Sequence, residues 1–270
     1  MNKSIVITGS TRGIGFGLAD AFLDLDCSVT VSGRTQAAVD GAVGDLTARH
    51  DAGRILGHRC DVRVFSQIQA LWDAAFDRFG RVDIWVNNAG IGHAQVNFWE
   101  LSPERLEAVV KTNVLGAMYG TKVAIVGMLA QGSGSIYNME GLGSGGPRVK
   151  GTSVYASSKA ALRYLDESLA EEVGDTPIIF GTLNPGMVAT NLVTNPYEGR
   201  PAEWERAKRI FNIIADRVET VTPWLARQML GNEKNGAQFN WSSRWRVLGR
   251  FLLAPFRRRD LFEESPGGGH

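Results

Sequence analysis

The chain is 270 residues long, 44% hydrophobic and 21% charged, with a net charge of +1. A chain of this length can build one sizeable core. Its balanced charge gives no electrostatic reason to expect nucleic acid as a partner.

Residues 4–8 (SIVIT) are a β-branched run ending at a glycine, the pattern of a buried strand. Helical periodicity follows over 13–25, then a strand over 28–32 and a helix over 37–50. A third strand falls within 55–62, a third helix over 66–79 and a fourth strand over 82–87. The long helix expected over 103–129 carries Leu106, Val109, Val110, Val114, Ala117, Met118, Ile125 and Met128 close to one face. Strand five (135–139) precedes a helix that includes Tyr155 and repeats Ala161, Leu165, Leu169 and Val173 at four-residue steps. Strands six and seven are expected over 178–183 and 237–241.

Strands alternating with such helices predict right-handed crossovers and an α/β, Rossmann-type, doubly wound parallel sheet of about seven strands. A single domain is expected over 1–264, with a substrate lid at about 190–231 and a disordered tail over 265–270. Cys27 and Cys60 match no metal or redox spacing and read as thiols in a reducing, cytoplasmic compartment. No apolar run reaches about 18 residues, so no transmembrane helix is predicted. A first strand from residue 4 leaves no room for a signal or transit peptide within the sequence.

Gly9, Ser10, Thr11, Arg12, Gly13, Ile14 and Gly15 lie between the first strand and the first helix. Glycines there let backbone N–H groups reach a pyrophosphate at a helix N-terminus, where the dipole favours anions. The spacing is G-x-x-x-G-x-G, and the alternative is a turn that serves helix–sheet packing alone. Strand two ends at Gly33-Arg34-Thr35 with no acidic residue to take a ribose 2′-OH. Arg34, with Arg12 nearby, favours a 2′-phosphate and hence NADP(H) over NAD; solvated arginines are the other reading.

Tyr155 and Lys159 stand one helical turn apart on one face. A free phenol titrates near 10, too high for neutral acid–base work. An ammonium beside it favours the phenolate and lets the pair pass a proton to a carbonyl oxygen as hydride reaches carbon. Alone, the pair could equally be an ordinary surface contact.

With these motifs in this order, the sequence over about residues 4–195 resembles the short-chain dehydrogenase/reductase family. The matching elements are the glycine loop, Asp61-Val62, Asn87-Asn88-Ala89-Gly90, Asn113, Tyr155/Lys159 and Pro185-Gly186. The resemblance implies that Asp61 and Val62 contact adenine and that Asn88, Ala89 and Gly90 close the cofactor site. It implies that Asn113 holds a water in a proton relay behind Lys159, and that Lys159 and Tyr155 also meet the cofactor. Pro185, Gly186, Val188 and Thr190 would contact the nicotinamide end. Asn87 and Asn88 could instead simply cap the central strand.

One departure concerns the serine that family members carry about thirteen residues before the tyrosine to bind the substrate carbonyl. Leu142 holds that position here and Ser144 lies eleven before Tyr155, so Ser144 either fills the role through a shifted loop or is a turn residue. Residues 136–146 (IYNMEGLGSGG), 183–192 and 208–230 are similar to chlorophyll(ide) b reductases of chlorophyll catabolism, in which an acidic residue is expected at Glu140. That resemblance implies NADPH-dependent reduction of a 7-formyl to a 7-hydroxymethyl group on a tetrapyrrole. Other bulky carbonyls or alcohols (a steroid, a quinone, an acyl ketone) are the alternative, and a non-catalytic NADP(H)-binding protein is a third.

Phe98, Trp99, Met187, Tyr197, Trp204, Ile210 and Phe211 either line a wide apolar cleft or form core and interface. The amphipathic segment 243–262 alternates arginines with apolar residues. Its 244–259 stretch either rests on an anionic membrane, with Trp245, Phe251 and Phe256 dipping in, or covers a sheet edge or another subunit. A homo-oligomer is expected from the family resemblance.

Overall fold

The computed structural model describes residues 3–145, 148–242, 244–254 and 259–262. Gly146, the Trp245 side chain, Phe256 and the tail 265–270 lie outside them. Seven parallel strands form one sheet in the order β3-β2-β1-β4-β5-β6-β7. They are β1 (Ser4–Ile7), β2 (Ser28–Gly33), β3 (Ile55–Arg59), β4 (Ile84–Asn87), β5 (Gly134–Met139), β6 (Ile178–Asn184) and β7 (Ala237–Asn240).

Alternation along the strands divides the core between the two faces of the sheet. Ile5 and Ile7 of β1 join one cluster with Leu18, Phe22, Val29 and Val31. Val6 joins the other with Trp72, Trp85, Met128 and Phe180. Helices α1 (Gly13–Asp24), α2 (Gln36–Thr47) and α9 (Val218–Leu230) cover the first face. Helices α3 (Phe65–Phe79), α5 (Gly116–Gln131) and α6 (Ser153–Glu172) cover the second. The strand order reverses between β1 and β4, so a crevice opens at their C-terminal ends.

The long helix expected over 103–129 is interrupted. An α-turn segment, α4 (Pro103–Val110), passes through a π-helical turn (Lys111–Leu115) into α5. By length and mean hydropathy (1.3), Pro103–Gln131 could cross a membrane. Here Val109, Asn113, Ala117, Ala124 and Met128 are buried, and α5 packs on β4 and β5.

Not all of the 190–231 span expected as a lid lies off the sheet. Val221, Leu225, Ala226 and Met229 give α9 a core-facing stripe that packs on α1, where a Cβ on Gly17 would come 2.2 Å from Val218. The segment off the sheet comprises α7 (Asn191–Thr194), a 3₁₀ turn (Asn195–Tyr197) and α8 (Pro201–Ile214). After β7, α10 (Arg244–Leu253) returns to the base of that segment. Arg250 and Arg259 both pair with buried Asp216, which also accepts from Trp241 Nε1 at 2.7 Å. The described part of the C-terminal segment therefore binds its own chain, while Leu248, Phe251, Leu252 and Leu253 remain exposed.

Candidate active site

The glycine loop is latched from behind by the end of β4. Asn88 Nδ2 donates to Thr8 O (2.9 Å) and Gly9 O (3.0 Å), while Thr8 Oγ1 accepts from the amides of Asn88 and Ala89. A Cβ on Gly15 would come 2.4 Å from Asn88 Nδ2, and one on Gly9 2.8 Å from Ala89 Cα. Ser10 is fully buried and spends its hydroxyl on Ile7 O and the Ser32 amide, so it shapes the loop. Among the described residues no side chain caps α1, and no acid occupies its first turn. The N-terminal amides of Gly13, Ile14 and Gly15 are thus suited to hold a pyrophosphate.

Gly33 approaches this loop closely, a Cβ there falling 2.5 Å from Thr11 Cγ2. That approach brings exposed Arg34 to the side carrying exposed Arg12, and among the described residues neither forms an ion pair. Thr35 caps α2. Asp61 is gripped by Arg63 through Nε and Nη2, which holds its carboxyl below the usual range. Val62 is buried against Gly116. On the other side, Thr190 Cγ2 lies 3.4 Å from where a Gly13 Cβ would stand. Val188 pairs with Asp216, and Gly186 takes a left-handed turn after Pro185. The crevice is therefore lined on both sides by the residues picked from the sequence.

Tyr155 and Lys159 open α6 at the ends of β4 and β5. Lys159 is buried, and its Nζ donates to Met139 O at 2.7 Å and lies 6.0 Å from the Tyr155 ring centre. Burial pulls this ammonium down to about 8, against the opposing pull of Asp166 and Glu140. Burial pushes the Tyr155 phenol up to about 12, so it keeps its proton at neutral pH. Gly90 brings the β4 loop over the pair, its Cβ position falling 3.9 Å from Lys159 Nζ.

Asn113 sits on the π-helical turn, whose widened backbone sets its side chain inward. Its Oδ1 accepts from the Ile91 amide, and its Nδ2 donates to Ile91 O and to Ser158 Oγ. Ser158 donates in turn to Tyr155 O. His93 Nε2 accepts from the Tyr155 amide at 3.2 Å, with Nδ1 2.8 Å from Ala94 O. His93 and Ser158 escaped the sequence analysis because their work is done on main chain, with no spacing signal.

The surroundings of Ser144 are those of a turn residue. Its hydroxyl donates to Gly141 O at 3.0 Å, accepts from the Gly141 amide and lies 3.4 Å from Lys159 O, so it is spent on main chain. The position facing the phenol is Gly141, whose Cβ would come 2.6 Å from Tyr155 Oη. At that position the chain offers no side-chain hydroxyl to a substrate carbonyl.

A buried polar cluster lies behind Lys159. Trp85 Nε1 donates to Asn87 Oδ1, Asn87 Nδ2 donates to Asn138 Oδ1, and Asn138 Nδ2 donates to Asp166 Oδ1. Asn87 is thus structural. Asp166 and Glu140 are both buried, and Glu140 Oε1 and Asp166 Oδ2 find no hydrogen-bond partner among the described residues. Burial raises both carboxyls, Asp166 to about 7. Asp166 was not picked from the sequence, since an acid flanked by Glu167 and Glu171 looks like part of a solvated helix face.

Beside the loop after β4, Tyr197, Trp204, Phe211 and Phe262 stack edge to face or tilted at 5.1 to 6.3 Å. Tyr197 Oη donates to Gln95 Oε1 at 2.6 Å and Arg200 to Gln95 O, tying this segment to the loop after β4. An open depression of about 440 Å³ is bounded by Thr194, Tyr197, Arg200, Trp204 and Phe262. Tyr155 and Lys159 are not on its wall. Phe98, Trp99 and Ile210 are exposed.

Residues 3–200 match the model of the short chain dehydrogenase family. The chain is 31% identical over 279 residues, 97% of its length, to a probable chlorophyll(ide) b reductase, NYC1, chloroplastic, of Oryza sativa subsp. japonica. It is 34% identical over 227 residues, 82% of its length, to a chlorophyll(ide) b reductase, NOL, chloroplastic, of the same plant. It spans 54% of the first relative and 65% of the second. Among solved structures, an actinorhodin polyketide ketoreductase variant with NADPH superposes with a TM-score of 0.79 at 28% identity, covering 89% of this chain and 95% of that one.

Proposed function

The chain belongs to the short-chain dehydrogenase family as an NAD(P)-dependent oxidoreductase of carbonyl and hydroxyl groups, and we propose that it is an NADPH-dependent reductase of a bulky aldehyde. The leading substrate is the 7-formyl group of chlorophyll(ide) b, reduced to 7-hydroxymethyl. The observation that carries the reading is the Tyr155–Lys159 pair, a phenol and a buried ammonium set one helical turn apart where a carbonyl oxygen could take a proton.

The cofactor fits the residues present. The uncapped start of α1 would hold the pyrophosphate, with Gly9, Gly13 and Gly15 admitting it. Arg12 and Arg34 would take the 2′-phosphate. Arg63 would yield one Asp61 oxygen to adenine, and Gly186, Val188 and Thr190 would border the nicotinamide end. When bound, the cofactor supplies the hydride. The protein does the rest: Tyr155 donates the proton to the carbonyl oxygen, and Lys159 resupplies it. Because the Asn113 side chain is fully used, holding a relay water falls to the main chain of the π turn.

The pigment is supported by the two chloroplastic relatives and by the aromatic segment tied to the loop after β4. Gly141 in front of the phenol also removes side-chain bulk where a wide planar substrate would enter. Purified protein should oxidise NADPH with chlorophyllide b, and the pigment spectrum should shift to the 7-hydroxymethyl form. Tyr155→Phe should cut turnover by at least about 100-fold while still binding NADPH. Unchanged turnover in that variant would defeat the mechanism. No turnover of the pigment, with NADPH binding intact, would move the substrate to another bulky carbonyl. Arg34→Ala should raise the KM for NADPH at least about tenfold and leave that for NADH unchanged. Equal shifts for both would remove the NADPH preference.

A further inference from the structure

An α-helix begins with amides that lack a partner inside the helix, and the side chain just before it usually takes the second or third of them. In α6 that side chain is Thr152, and it caps nothing: its hydroxyl donates back to Val149 O at 2.8 Å. The third amide of the helix belongs to Tyr155. It is taken from outside the helix by Nε2 of His93, 62 residues earlier in the loop after β4. His93 is buried, and its other ring nitrogen lies 2.8 Å from Ala94 O.

The carbonyl of Tyr155 is held from the same loop. Tyr155 O accepts from Ser158 Oγ at 2.6 Å, Ser158 Oγ accepts from Asn113 Nδ2, and Asn113 bridges the amide and carbonyl of Ile91. Ile91 and His93 thus hold both main-chain polar groups of the residue that carries the phenol. On one side of them, Gly90 brings its Cβ position to 3.9 Å from Lys159 Nζ. On the other, Gln95 donates from Nε2 to Lys150 O, just ahead of α6.

We propose that His93 is a positioning residue: its imidazole, with the hydrogen on Nδ1 and a lone pair on Nε2, caps α6 at Tyr155 and so fixes the phenol relative to the crevice. It rests on Tyr155 being the proton donor of the reductase reading above. The two partners set the tautomer. A main-chain amide only donates and a carbonyl only accepts, so Nε2 must offer its lone pair and Nδ1 its hydrogen. Both are fixed in one rigid plane, so the ring braces the loop against the start of the helix. A misplacement of about 1 Å at a reacting group can cost on the order of 100-fold in rate, so a lost brace shows first in turnover. Among the described residues no hydrogen bond joins His93 to the glycine loop, so cofactor binding should follow it far less.

The first test needs no substrate. In protein labelled with ¹⁵N-histidine, imidazole spectra at pH 8 should show one ring, absent from His93→Phe, that carries its hydrogen on Nδ1 and a bare Nε2. A His93 ring with its hydrogen on Nε2 would overturn the proposal whatever the enzyme reduces. The kinetic test uses any carbonyl that turns over. His93→Phe keeps a ring in the space and offers no acceptor, so kcat should fall at least about tenfold with the KM for NADPH little changed. His93→Gln can place its amide oxygen where Nε2 stands and should restore kcat to within about threefold of wild type. A space-filling role would put these two variants in the opposite order. Wild-type kcat in folded His93→Phe, or a folded His93→Gln no faster than it, would overturn the proposal. If the Nδ1 hydrogen is found and no carbonyl turns over, the cap on Tyr155 stands and the reductase reading falls.

Discussion

Two buried aspartates lie on opposite sides of β6, and their surroundings drive them apart. Asp216 sits at the base of the α8 segment, where Trp241, Arg250 and Arg259 converge on its carboxylate. Burial pushes it up, but those donors outweigh burial and hold it below the usual carboxylate range. Asp166 sits between α6 and β5 with one amide donor, a second acid nearby and no adjacent arginine fork. Burial wins there and raises it to about 7. The same side chain is held as an anion in one place and held to its proton in the other, and the number of donors around it decides which.

The comparison breaks first at Asp216. Asp216→Ala strands two guanidiniums that are each more than two-thirds buried. Loss of one partner from a buried ion pair costs about 3–5 kcal/mol, so the melting temperature should fall by many degrees at pH 7. The folded carboxyl titrates below its unfolded value, so its contribution is present above about pH 4 and is lost as pH falls through the folded pKa. The gap between variant and wild type should therefore be constant from pH 5 to 8 and narrow below 4. A gap that varies between pH 5 and 8 would mean that other groups hold the segment.

The two sites also differ in how far the sequence reveals them. The strands, the glycine loop, Tyr155 and Lys159 are legible because β-branched runs, positive-φ glycines and a one-turn spacing are local signals. Asp216 is not legible, because its arginines lie 34 and 43 residues downstream. The π turn at 111–115 changes the hydrogen-bond register without any mark in composition. Ser144 stays ambiguous in sequence, since eleven residues before Tyr155 suits a shifted loop and a turn alike; the main-chain partners of its hydroxyl are visible only in the fold. Glu140 carries a signal through the narrower resemblance, but its neighbour across the strand end comes from tertiary packing.

Asp166 sharpens the comparison with a smaller effect of opposite sign. Its folded pKa lies above its unfolded value of about 3.9, so the folded state binds the proton more tightly. Stability is then fully present below about pH 4, declines as pH rises and is lost by the time the folded value near 7 is passed. Asp166→Asn keeps an oxygen to accept from Asn138 and removes the ionisation. It should therefore stabilise the protein at pH 8, by on the order of 2 kcal/mol, and change little at pH 4. Thermal melts of wild type and variant across pH 4 to 8 check this directly. Between pH 5 and 7 only the Asp166 curve should move while the Asp216 curve stays flat, because the two carboxyls titrate in separate windows. An Asp166→Asn variant that is destabilised equally at both ends would mean that Lys159 holds the carboxylate charged, making this site a second ionic anchor like the first.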